Sequence, residues 1–199
     1  MEIVAHRINT LESLKAVPMH FGAEIDLRAR GSELYLHHDA FRERGADAFV
    51  DYLDAYGHGL LVLNIKEAGI EAEVLRLVRE RGIERYFLLD VEFPYLYRAS
   101  RQGERNIAVR YSEDESIETA IAYKERVDWV WIDTNTRLPL DETVKVQLTG
   151  LKTCLVCPER WGRPQDIAGY RAQLAVLDLR LDAVMTSFAC ADEWLKPTR

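Results

Sequence analysis

Eight short runs of apolar and β-branched residues recur along the chain and alternate with segments whose apolar residues have helical spacing. Alternation of this kind is typical of βαβ units with parallel strands. Eight such units predict an α/β fold, a compact (β/α)8 TIM barrel, with an open doubly wound sheet as the alternative. The segment GSELYLHH, residues 31–38, is predicted to be a loop that carries its own short strand, which favours the barrel. The predicted strands are residues 2–5, 23–27, 60–65, 85–91, 106–110, 128–133, 152–157 and 182–186.

Helices are expected between these strands, and polar residues mark several of their ends. Thr10, Ser112 and Asp141 stand where N-caps are expected, and Gly82 follows an arginine as a C-cap glycine does. No long linker or low-complexity stretch interrupts the pattern, so residues 1–199 are predicted to form a single domain. The predicted helices are residues 11–17, 48–56, 70–82, 116–125, 141–148 and 167–177.

The composition excludes several function classes. A net charge of −7 provides no broad basic field, so a nucleic acid partner is not expected. No apolar run approaches the roughly 20 residues of a spanning helix, so stable membrane insertion is not expected either. The first residues, MEIVAHRINT, lack the apolar core of a secretory signal, which favours the cytoplasm. Neither charge nor apolar pattern predicts an oligomeric state.

The cysteines are consistent with a reducing compartment. Their number, three, is odd, and they have no disulfide-framework spacing. Cys154 and Cys157 form a C-x-x-C pattern inside a predicted strand, where residues i and i+3 point to opposite faces. We interpret them as structural thiols.

Polar residues gather at the predicted carboxyl ends of the strands, where the active sites of TIM barrels lie. Glu24 and Asp26 are two residues apart in the second strand and therefore share one face. Acids in a barrel mouth need a cation or protons, and Mg²⁺ or Ca²⁺ suits a set of carboxylates. An ion pair with Arg7, Lys66 or Arg110 is the alternative. The other polar residues at strand ends include His6, the HHD segment at 37–39, Asn64, Asp90, Trp131, Asp133, Glu159 and Thr186.

Four segments together resemble a known enzyme family. They are AHR at 5–7, GAEIDLR at 22–28, HHD at 37–39 and NIK at 64–66. In this order and spacing they resemble the glycerophosphodiester phosphodiesterase branch of the phospholipase C-like phosphodiesterases. Later segments also resemble small single-domain members of that superfamily; they are RYFLLDVEFP at 85–94, AVRYSEDE at 108–115, VDWVWID at 127–133, CLVCPERWGR at 154–163 and DAVMTS-x5-EW at 182–194. The resemblance covers nearly the whole chain and implies a TIM barrel that hydrolyses a small phosphodiester.

The resemblance also implies residue roles. His6 and His38 would be the general acid and base, and Arg7 would bind a phosphate oxygen. Glu24 and Asp26 would hold the divalent cation, which polarises the phosphoryl group. In such families a neighbouring hydroxyl of the substrate commonly attacks first and gives a cyclic phosphate.

Asn64 stands where the family has a glutamate on the third strand. Its amide oxygen could still bind the metal, and Asp90 on the next strand could supply the lost charge. The glycine that usually follows the HR pair is Ile8 here, and the chain also differs near Trp161 and Ser187.

These differences leave other functions open. A phosphate-ester-binding barrel with impaired catalysis is one of them. A metal-free cyclising phosphodiesterase, a lyase, is the second, with Lys66 and Arg110 as the cations that bind the phosphate. The third is an unrelated barrel enzyme in which Lys66 forms a Schiff base with a phosphorylated sugar.

Overall fold

The computed structural model describes residues 1–196, and strands alternate with helices through all of them. The strands are β1 (Glu2–Ala5), β2 (Gly22–Arg30), β3 (Glu33–Leu36), β4 (Leu61–Ile65), β5 (Tyr86–Leu89), β6 (Ala108–Tyr111), β7 (Trp129–Ile132), β8 (Lys152–Val156) and β9 (Ala183–Thr186). The helices are α1 (Leu11–Ala16), α2 (Phe49–Ala55), α3 (Glu71–Glu80), α4 (Phe93–Arg101), α5 (Ile117–Tyr123), α6 (Glu142–Gln147), α7 (Ile167–Val176) and α8 (Phe188–Leu195).

Eight parallel strands, each followed by a helix, confirm the predicted α/β TIM barrel class. The additional strand β3 pairs with β2 in antiparallel orientation, as the 31–38 segment predicted. Helix α4 was not predicted from the sequence. Pro94 lies in its first turn, where a missing N–H costs no helical hydrogen bond.

The residue contacts divide the chain into two compact units. In the unit Val4–Ala99, β2 pairs with β1 and β4 in parallel, and β4 pairs with β5. In the other unit, which consists of Met1–Ile3 and the chain from Ser100 onward, β7 pairs with β6 and β8, and β8 pairs with β9. The single domain over residues 1–199 stays a prediction.

Local sequence explains several element ends. The Thr10 hydroxyl accepts a hydrogen bond from the Ser13 N–H at 3.0 Å, and the Thr10 N–H donates to the Ser13 hydroxyl at 3.2 Å, which forms a capping box. Asp141 caps α6 in the predicted way. Ser112 does not cap a helix, because its hydroxyl binds the loop that follows β6, and Ser116 is the N-cap of α5.

The two faces of β2 explain how acids come to be buried. Ala23, Ile25 and Leu27 are fully buried on one face. Glu24 and Asp26 alternate with them and point to the opposite face, yet they are only 2% and 0% exposed. Because water is excluded from both faces, these carboxylates depend on protein groups or a bound cation for their stabilisation.

All three cysteines are free, in agreement with their interpretation as structural thiols. Cys154 and Cys157 are buried, and the indole N–H of Trp194 donates a hydrogen bond to the Cys157 sulfur at 3.1 Å. Burial raises the pKa of the Cys157 thiol to about 12. Within residues 1–196, no helix combines the length and the apolar character that crossing a membrane requires.

Candidate active site

Glu24 lies at the centre of the polar cluster in the Val4–Ala99 unit. The backbone N–H of Arg7 donates to its Oε2 at 2.8 Å, and the amide of Asn64 donates to its Oε1 at 2.9 Å. The imidazole Nε2 of His6 is 4.0 Å from Oε2. Burial, and then the neighbouring charge of Asp26, raise the pKa of Glu24 to about 7. Without a further cation, this carboxyl group therefore holds a proton more readily than an exposed one.

Asp26 is held by two different partners. The Asn9 side chain donates to Asp26 Oδ2 at 2.7 Å and accepts from the Asp26 N–H at 2.8 Å. The Lys66 ammonium lies 3.1 Å from Oδ1. Asn9 was missed by the sequence reasoning, although its position in the short segment between the first strand and the cap Thr10 was a usable signal.

Two buried oxygens of this cluster accept no hydrogen bond in the structure. They are Asp26 Oδ1 and Asn64 Oδ1, and the two residues are register partners in β2 and β4. The contact of Lys66 with Asp26 Oδ1 is thus an ion pair without hydrogen-bond geometry. Unpartnered oxygens are the atoms that a hard cation binds.

The oxygen donors of this cluster are of the type that Mg²⁺ and Ca²⁺ bind. Among residues 1–196, no three His, Cys, Asp or Glu side chains form a group that could hold a metal ion. The available protein donors are two carboxylates, Glu24 and Asp26, and the amide oxygen of Asn64. Mg²⁺ usually keeps several waters and is bound by one or two carboxylates, so the type and number of these donors match those that Mg²⁺ usually binds.

Lys66 also reaches a second acid. Its ammonium lies 3.9 Å from Asp90 Oδ2, just after β5. Both Asp90 and Arg7 have left-handed backbone conformations, with φ of +59° and +53°. Non-glycine residues rarely adopt this conformation, and those that do are concentrated at functional sites.

The hairpin of β2 and β3 returns the HHD segment to the acids. The N–H of His37 donates to the carbonyl of Asp26 at 3.1 Å, and Arg28 Nη2 donates to the carbonyl of His38 at 2.8 Å. His38 Nδ1 and Asp39 Oδ1 are 2.8 Å apart. The hydrogen bond from His38 lowers the pKa of Asp39. An imidazole paired with a carboxylate in this way has one ring nitrogen oriented and the other available for proton transfer.

The predicted phosphate ligand Arg110 lies in the unit that contains β6 to β9. Its guanidinium Nη1 is 2.6 Å from Asp133 Oδ2, and the indole of Trp131 donates to Asp133 Oδ1 at 3.3 Å. Of the ion pairs considered for Glu24 and Asp26, the structure therefore contains Lys66 with Asp26. Arg110 pairs with Asp133 instead, and Arg7 contacts Glu24 through its backbone N–H.

Comparisons with known proteins support the predicted resemblance at the level of the fold. No protein-family model and no curated protein matches the chain. A candidate glycerophosphoryl diester phosphodiesterase from Agrobacterium tumefaciens superimposes with a TM-score of 0.65 at 15% identity, over 94% of this chain and 93% of its own. A glycerophosphodiester phosphodiesterase from the same organism gives 0.63 at 16% identity, over 98% of each chain. The two share this fold.

Proposed function

We propose that the protein is a metal-dependent phosphodiesterase that acts on a glycerophosphodiester or a related small phosphodiester. The observation that carries the proposal is the pair of buried carboxylates, Glu24 and Asp26, together with two buried oxygens, Asp26 Oδ1 and Asn64 Oδ1, that accept no hydrogen bond. Burial of two neighbouring carboxylates costs free energy unless a cation offsets their charge. The fold shared with the two phosphodiesterases supports the reaction class.

Glu24, Asp26 and the amide oxygen of Asn64 would hold Mg²⁺ or Ca²⁺. The ion would supply Lewis-acid polarisation of a phosphoryl oxygen and offset the charge that develops there. Arg7 and Lys66 are the proposed ligands of the phosphate oxygens, because cationic side chains offset the charge of a substrate anion that binds beside the acids. A phosphate-binding role for Arg110 stays a prediction of the sequence.

The histidines are proposed to move the protons. One imidazole takes the proton from an attacking hydroxyl of the substrate, and the other gives a proton to the oxygen of the departing alcohol. The product is a cyclic phosphate, which water then opens with the two proton transfers reversed. His38 is suited to this role because Asp39 binds Nδ1 and thereby leaves Nε2 for the exchange. His6 contacts Glu24 at 4.0 Å, which links its charge to the acid cluster.

One observation favours a second candidate, a metal-free cyclising phosphodiesterase. The Lys66 ammonium lies 3.1 Å from Asp26 Oδ1, so a protein cation already offsets one of the acids. In that reaction the cyclic phosphate would be the final product and a chelator would have no effect.

The two candidates are separated by one set of assays. Glycerophosphodiesters and bis(p-nitrophenyl) phosphate are incubated with Mg²⁺, Ca²⁺, Mn²⁺ or EDTA, and products are followed by ³¹P NMR. The phosphodiesterase proposal expects metal-dependent formation of a monoester, which His6→Ala and Glu24→Gln both abolish. His20→Ala is the control, because His20 is exposed before β2 and its ring makes an edge-to-face contact with Phe21. A cyclic product that persists in EDTA would establish the lyase instead.

A further inference from the structure

The Lys66 ammonium lies between two carboxylates, 3.1 Å from Asp26 Oδ1 and 3.9 Å from Asp90 Oδ2. We infer that Lys66 is an exchangeable counter-ion that pairs with Asp26 when no divalent cation is bound and transfers to Asp90 when one binds. Asp90 is then a positioning residue that acts through Lys66, and not a metal ligand. The inference rests on the metal site proposed above.

The first step of the argument concerns Asp26. Its side chain is buried, Asn9 binds Oδ2, and Oδ1 faces Lys66. The same Oδ1 accepts no hydrogen bond, so it is the oxygen with remaining capacity for a cation. A divalent ion and an ammonium group on one oxygen would repel each other strongly in a site with little water. Binding of the ion must therefore displace Lys66.

The second step concerns Asp90, the carboxylate with which Lys66 pairs after it leaves Asp26. Asp90 is within 4 Å of the ammonium, and its side chain is 26% exposed, whereas that of Asp26 is 1% exposed. A partly hydrated carboxylate can accept the ammonium at a smaller desolvation cost than a buried one. The register of β4 and β5 pairs Asn64 with Leu89, so Asp90 follows directly beyond the end of this pairing.

The backbone of Asp90 supports a dedicated role. A φ of +59° is a left-handed conformation, which glycine adopts at a lower cost than a residue with a side chain. The chain nevertheless has a carboxylate at this position, and the structure places that carboxylate toward Lys66. Strain of this kind persists where the position of the side chain matters.

The test is a double-mutant cycle on metal affinity, read by electron paramagnetic resonance of free Mn²⁺ with chelator-treated protein. Lys66→Met is expected to bind Mn²⁺ about tenfold more tightly than the wild type or better, because the competing charge is gone. Lys66→Gln serves as a second neutral variant, and Lys66→Arg, which keeps the charge, is expected to remain near the wild type. Thermal unfolding of each variant checks that the fold is intact.

Asp90→Asn separates the two roles of Asp90. In the wild-type background it is expected to weaken Mn²⁺ binding, because Lys66 loses its second partner. In the Lys66→Met background the same change is expected to alter affinity by less than about twofold. Weakening that persists there would mean that Asp90 binds the ion directly, and unchanged affinity in both neutral Lys66 variants would mean that Lys66 does not compete. Either result overturns the inference.

The outcome is distinguishable from a failure of the proposed function. Tighter Mn²⁺ binding in the Lys66 variants without phosphodiester turnover in the wild type would support the counter-ion role and reject the reaction. Phosphodiester turnover by the wild type, together with unchanged Mn²⁺ affinity in the Lys66 variants, would support the reaction and reject the counter-ion role. No Mn²⁺ binding by any of the proteins would overturn both the metal site and the exchange.

Discussion

The side-chain amide of Asn9 and the peptide and carboxylate of Asp26 are joined by two hydrogen bonds, of 2.7 and 2.8 Å, across 17 residues of sequence. This pairing connects the segment after β1 to the middle of β2. It fixes the orientation of a carboxylate that is fully buried, and it leaves only Oδ1 for Lys66 or a metal ion. Asn9 thus determines which oxygen of Asp26 is available for chemistry.

We expect Asn9→Ala to lower the free energy of unfolding by about 2–4 kcal/mol, because it leaves a buried charged acceptor and a buried N–H without partners. Urea denaturation of the metal-free protein measures the change. Asn135→Ala is the matched control, since Asn135 donates to Asp114 at 3.1 Å on the exposed surface and should contribute less than about 0.5 kcal/mol. Equal losses in the two variants would contradict the role assigned to Asn9.

The strand and helix pattern was predictable because it depends on local periodicity. All eight predicted strands are present, with ends that differ by a few residues. Helix α4 was not predictable in the same way, since the sequence FPYLYRASR has a proline, Pro94, at its second position, which also suits a loop. A proline is compatible both with the first turn of a helix and with a loop. It therefore does not distinguish these structures unless the packing of the rest of the segment is known.

The acid pair of the site was also predictable, because Glu24 and Asp26 share a face of one strand by its two-residue period. The partners of these acids were not. Asn9 and Lys66 reach Asp26 from other elements, and a single sequence does not reveal which of several nearby cations or amides will do so. The sequence predicted an ion pair as an alternative, and the structure identifies Lys66 as the partner of Asp26.

The raised pKa of Glu24 has a consequence for stability. Its folded-state pKa of about 7 lies above the ordinary 4.5, so folding favours the protonated form. The stability that depends on this proton is present below the ordinary value and is lost as the pH rises through 7. We expect Glu24→Gln, which is neutral throughout, to become more stable than the wild type over this interval in EDTA, by up to about 3 kcal/mol.

The measurement for Glu24 is thermal unfolding over a pH series with and without a divalent cation. Added Mg²⁺ should remove the pH-dependent difference, because it offsets the charge of the ionised carboxylate. Glu33→Gln is the control, because Glu33 lies on the exposed hairpin and pairs with Arg30. Parallel pH profiles for the wild type and Glu24→Gln would refute the assignment.

The pairing of His38 with Asp39 leads to a prediction about catalysis. Asp39→Asn should lower kcat/KM by about tenfold or more, because the Asp39 carboxylate orients the His38 ring through Nδ1. The readout is kcat/KM for a glycerophosphodiester. Asp54→Asn, a change at an exposed acid that pairs with Arg81 at 2.6 Å, should leave kcat/KM unchanged. An unchanged kcat/KM in Asp39→Asn would contradict the orienting role of Asp39.

The start of β2 provides a test of how tightly the strand pairing holds the acids. A Cβ on Gly22 would lie 2.2 Å from the Leu60 carbonyl oxygen, which a backbone atom cannot avoid without moving the strand. We therefore expect Gly22→Ala to destabilise the fold by about 2 kcal/mol or more. Gly169→Ala is the matched control, because Gly169 lies in α7 with open space around it. This change should stabilise the fold by about 0.5–1 kcal/mol. Opposite signs in urea denaturation are the expected result, and a neutral Gly22→Ala would mean that β2 can shift without loss of the register that holds Glu24 and Asp26.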